Sequence, residues 1–166
     1  MLGRFATAGK GANAFAGRSI SSLVAAREKG AKVTRMISYS IDESGRVFTL
    51  SYGGNVTPSE VDALRDSARQ DIERLRPGFV LLSDLTDLRS MDPACAEGLG
   101  AVMEVLSERG LSLALRVIPD PSKDIGFNLI SLFHYRKSVR ALTLSSLAEA
   151  LVVLLDAAGN LQPAEN

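Results

Sequence analysis

Three carboxylates crowd one short stretch of the chain: Asp84, Asp87 and Asp92, with Thr86 and Arg89 between them. They follow a continuous apolar run, Phe79-Val80-Leu81-Leu82, and precede Pro93-Ala94 and a helical pattern. Ligands of open α/β sheets bind at such strand ends, and a helix N-terminus beside them favours an anion. Three acids would repel that anion unless Arg89 offsets them. They could instead hold Mg²⁺ through oxygen ligands. The plainest use is structural: Asp92 as an N-cap, Asp84 and Asp87 as loop acids. The reading carried forward has no metal and no cofactor, and takes the loop as a surface for a partner.

Other reactive side chains lack company. His134 is the only histidine and sits in Phe133-His134-Tyr135-Arg136-Lys137, and no nucleophile motif pairs a Ser or Cys with it. At the end of a helix its charge is favoured by the helix dipole, so its expected role is structural. Cys95 is the only cysteine, which excludes an internal disulfide and argues against a His/Cys zinc site. The first turn of a helix can lower a thiol pKa, but a small packed residue is the expectation. Gly98-Leu99-Gly100 lacks the Lys-Ser/Thr of a phosphate loop and falls inside a helical pattern, so it reads as close packing of a helix on the sheet. No G-x-S-x-G or H-E-x-x-H occurs. The sequence therefore predicts no catalytic centre.

These residues need elements to hold them. Ile37, Tyr39 and Ile41 alternate with serines as in a half-buried strand. Residues 42–45 read as a turn, and a second strand runs from Val47 to Tyr52, broken by Gly53-Gly54-Asn55. Thr57-Pro58-Ser59-Glu60 has the pattern of a capping box, opening a helix to about Arg76 with Val61, Leu64, Ala68, Ile72 and Leu75 inward. The other face of that helix mixes Arg and Asp/Glu, a solvated ion-pair face rather than a nucleic-acid patch. A buried strand over 79–82 and the acidic loop follow. A second helix spans about 93–109, with Leu99, Val102, Met103 and Leu106 inward. Leu111, Leu113, Leu115 and Val117 mark a fourth strand. A third helix is expected near 124–135, a fifth strand over 139–144, and a last helix capped by Ser145 or Ser146 running to about Asp156.

The charge is unevenly divided. Residues 1–35 hold seven Arg or Lys against Glu28 alone, a balance of +6, and the rest of the chain carries −6. The extension is rich in Ala, Gly and Ser and cannot make a core alone. Ala16, Ile20, Leu23, Val24 and Arg27 give a short amphipathic helix over about 13–29. Three readings stand: a solvated tail, a basic arm for a partner or an anionic membrane surface, and an organellar targeting segment. No nucleic acid is expected as a partner, and no run approaches the roughly 20 apolar residues of a membrane span. The boundaries read from the sequence are an extension over 1–35, one α/β domain over 36–157 and a tail over 158–166.

The order ββαβαβαβα gives a mostly parallel or mixed five-stranded sheet with an N-terminal hairpin and about four helices. In this order the chain resembles the STAS domain, the SpoIIAA-like fold of bacterial anti-sigma factor antagonists, over about 36–155. That family's strand–loop–helix motif reads VxLDLSxVxFIDSSGLGxL. Here Val80-Leu81-Leu82-Ser83-Asp84-Leu85-Thr86-Asp87-Leu88-Arg89-Ser90-Met91-Asp92-Pro93-Ala94 matches it without a gap. Asp84-Leu85-Thr86 stands for DLS and Asp92 for the Asp of DSSG. The run Leu115-Arg116-Val117-Ile118-Pro119-Asp120-Pro121 is similar to the family's strand and proline loop.

The departure is at the family's phosphorylatable serine, which falls on Ala94, with Pro93 at the serine before it. No phosphorylation is expected at Ala94. A shifted alignment puts Glu97 there, where its carboxylate could imitate phosphate near a helix N-terminus, but it gives up the Asp84 match. The resemblance implies a non-catalytic, regulatory protein-interaction module in the cytoplasm. Its partner face would comprise Asp84, Thr86, Asp87, Arg89, Asp92, Pro93, Ala94 and Glu97, with Asp120 and Ser122 from the neighbouring loop. The alternatives are an accessory subunit of a larger organellar or membrane-associated assembly, held by the basic extension, and a carrier of a small apolar ligand. Oligomeric state is left open.

Overall fold

The alternation of Ile37, Tyr39 and Ile41 produces the expected edge strand, β1 (Ile37–Ile41), antiparallel to β2 (Val47–Val56) with Ile37 opposite Tyr52 and Ile41 opposite Phe48. The computed structural model describes residues 36–121, 135 and 137–160. The Asp42 carboxylate ties the turn by accepting the N–H groups of Arg46 and Val47 at 2.8 and 2.7 Å.

Two expectations about strand ends are corrected. β2 does not stop at Tyr52 but continues through Gly53-Gly54-Asn55 to Val56. The stretch after Leu82 is not a loop: β3 (Val80–Met91) carries the acidic segment on as strand. The two extensions pair with each other in parallel, with register shifts between Ser51 and Gly53 and between Gly54 and Asn55. At both shifts β3 spends one residue more than β2. Such bulges let a segment rich in turn-forming residues remain in a ladder. Gly54 makes the β2 side possible, because its φ of +57° lies where side chains are strained and an added Cβ would stand 2.7 Å from Met36 Sδ.

The first helix, α1 (Pro58–Ala68), ends earlier than the sequence pattern suggests. Arg69 and Gln70 keep helical dihedrals, and the chain then tightens into a 3₁₀ turn over Asp71–Arg74, a common way for a helix to finish. The capping box does not form. Thr57 Oγ1 pairs with Ser59 Oγ at 2.9 Å, and the Glu60 carboxylate instead accepts the Met36 N–H at 3.1 Å. A charged acceptor thereby satisfies a backbone donor at the start of the edge strand.

After β3 come α2 (Cys95–Glu108), β4 (Leu113–Val117), β5 (Arg140–Leu144) and α3 (Leu147–Asn160). The sheet order is β1-β2-β3-β4-β5, parallel from β2 onward. On one face α1 and α2 cover Phe48, Leu50, Tyr52, Leu81, Leu85, Ala114 and Ile118. On the other, Ala150 and Leu154 of α3 close over Val47, Val80, Leu82, Leu113, Leu115 and Val117. The four inward residues expected for α2 are buried as read, and Gly98 serves close packing, but of α2 on α1: a Cβ there would sit 2.9 Å from Val61 Cγ1. Ser146 Oγ accepts the Glu149 N–H at 3.3 Å and so caps α3, which runs on to Asn160 rather than ending at Asp156. The helices expected over 13–29 and near 124–135, and the last residues of the tail, lie outside the described residues. Among the described residues the fold is an α/β domain with a five-stranded mixed sheet, an N-terminal hairpin and three α-helices.

Candidate functional site

Parallel strands β2, β3, β4 and β5 send their C-terminal ends to one edge of the sheet, and the β2–β3 ribbon projects there beyond β4, which pairs with β3 only over Val80–Asp84. The edge is stitched at both sides. Gly53 N–H donates to Met36 O at 2.8 Å, and Asp92 N–H donates to Val56 O at 3.0 Å. The apolar residues of the ribbon, Leu85 and Leu88, point into the core and are 0% and 4% exposed. Thr86, Asp87, Arg89 and Ser90 therefore face outward on a paired backbone.

The expected partner-face residues fall here as follows. Asp84 is partly buried, and its Oδ1 accepts both the Thr86 N–H (3.0 Å) and the Thr86 hydroxyl (2.6 Å), a local bond that shapes the first bulge. Thr86, Asp87 and Arg89 are exposed. Ser90, also exposed, donates its hydroxyl to Asn55 Oδ1 at 3.0 Å and ties the two strands of the ribbon. Asp92, Pro93, Ala94 and Glu97 are exposed at the turn into α2 and in its first turn.

The capping of α2 differs from expectation. Asp92 Oδ1 accepts the Ala94 N–H at 2.9 Å, an Asx turn two residues ahead of the helix's N-cap, while Asp92 O accepts the Cys95 N–H at 2.9 Å. Ala94 is itself the N-cap residue, with no side chain able to cap. At this position the hydroxyl is absent and the amide is already committed to Asp92.

Asp120 is exposed three residues beyond the end of β4, whose Val117 lies opposite Asp84. Ser122 and His134 lie outside the described residues. Among the described residues no group of three His, Cys, Asp or Glu gathers closely enough to hold a metal ion. Cys95 is buried beneath the turn, with Sγ 3.7 Å from Val56 O. Burial, and then the neighbouring Asp92 charge, push its thiol above the ordinary range, the opposite of a reactive thiolate.

One buried charged residue was not anticipated. Arg116 lies in the middle of β4 and is 4% exposed, opposite Ser83 of β3 and Thr143 of β5. The alternation Leu113-x-Leu115-x-Val117 placed Arg116 on the other face, and in a strand covered on both sides that face is also interior. Near it, burial pushes the Tyr135 hydroxyl up to about 12 despite the opposing pull of the Arg116 charge. Burial, and next to it Tyr135, also hold Tyr52 above its ordinary range. Away from this edge, a groove of about 520 Å³ runs between α1, the 3₁₀ turn and α2. Phe48, Leu64, Ala68 and Ile72 floor it, and Arg65 on its rim is paired with Asp62 and Asp66. No described helix is long and apolar enough to cross a membrane.

No family model matches the chain, and no curated protein matches it in sequence. Solved structures do. An uncharacterised protein of the DUF3478 family from Shewanella loihica PV-4, described as having a SpoIIAA-like fold, superposes with a TM-score of 0.54 at 11% identity, over 71% of this chain and 91% of that one. The anti-sigma factor antagonist SpoIIAA in its unphosphorylated form gives 0.49 at 11% identity, over 72% and 97%. An anti-sigma factor antagonist from Mycobacterium paratuberculosis gives 0.49 at 16% identity, over 76% and 100%. The fold is SpoIIAA-like.

Proposed function

We propose that this SpoIIAA-like domain is a non-catalytic protein-interaction module whose partner face is the projecting β2–β3 edge and the start of α2. The observation that carries the reading is the turn Asp92-Pro93-Ala94. It stands exposed at the head of α2 and presents a methyl group and a used amide; the resemblance to the STAS domain aligns it with the serines where that family accepts phosphate. Such a face binds without being switched there. Around it, Asp87, Arg89, Asp92 and Glu97 offer charged handles on a backbone that Leu85 and Leu88 anchor, and rigid presentation of that kind lowers the entropic cost of association.

The test is affinity capture with the full chain alongside an Asp87→Lys, Glu97→Lys variant. The expected result is a reproducible protein partner retained by the first and lost by the second, because reversing rim charges disfavours the encounter. Capture of no reproducible partner, or equal retention by both, counts against the proposal. In the same preparation, ATP and an anti-sigma kinase should leave residue 94 unmodified. Phosphate on Ser90 would show instead that the switch exists in displaced form.

A further inference from the structure

We draw no further inference here: the strongest candidate, the outer apolar stripe of α3 formed by the exposed Ala148, Val152 and Leu155, has nothing in the structure to show what covers it.

Discussion

Replacing Gly54 by alanine should cost the domain more than replacing its neighbour Gly53, and the difference follows from the ribbon's geometry. Gly54 has a φ of +57°, and a Cβ there would sit 2.7 Å from Met36 Sδ. The left-handed backbone costs an alanine about 1–2 kcal/mol. Moving a flexible methionine end adds roughly 0.5–1 kcal/mol of displaced packing and rotamer strain. The loss of unfolded-state freedom returns about 0.4–1 kcal/mol. The net is a destabilisation of about 1.5 kcal/mol, which for a chain of this length lowers Tm by about 3–6 °C. At Gly53 the φ is ordinary and no atom lies within 4 Å of an added Cβ, so alanine there should be neutral or slightly stabilising. Urea unfolding of the full chain followed by circular dichroism measures both. If Gly54→Ala costs no more than Gly53→Ala, the strand extension of β2, and with it the description of the projecting edge, is wrong.

Leu85→Ala removes a side chain that is 0% exposed beneath the same edge and should cost about 2–5 kcal/mol, whereas Thr86→Ala, losing an exposed bond to Asp84, should stay within about 1 kcal/mol; chemical denaturation separates the two. Stability should fall in alkali. Tyr52 and Tyr135 hold their protons more tightly when folded than the ordinary value of 10.0, so their contribution is complete below pH 10 and is lost as pH rises through their folded values; Tyr135→Phe should flatten the decline between pH 10 and 12, read from urea midpoints. Cys95, buried and with its thiol raised, should resist a disulfide reagent at pH 8 in the native protein and react on unfolding. Fast native labelling would contradict its placement under the Asp92 turn.

The strand and helix order was readable because each element carried its own period: two residues in β1, a continuous apolar run at the head of β3, three to four in α2. What local reading missed was pairing between segments distant in sequence. Residues 84–91 are rich in turn formers and look like a loop, and only the parallel partner in Gly53–Val56, with bulges to absorb the mismatch, makes them a strand. Glu60 has the local spacing of a capping box, and its true partner, the Met36 N–H, lies 24 residues away. Arg116 went unnoticed because a charged residue in an alternating strand ordinarily marks a solvent face. The residues proposed as a partner face, Asp84 to Glu97, are legible as a group since one strand–turn–helix unit holds them; Asp120 comes to that edge only through the parallel pairing of β3 with β4.

The proposed face is defined by where a partner sits. Hydrogen exchange on the full chain, with and without the captured partner, locates it directly. The expected result is slowed exchange over residues 84–97, with the outer strand β1 and helix α1 unchanged. Protection confined to α1 and α2 around the groove, or to α3, with residues 84–97 exchanging as in the free chain, would contradict the proposed face.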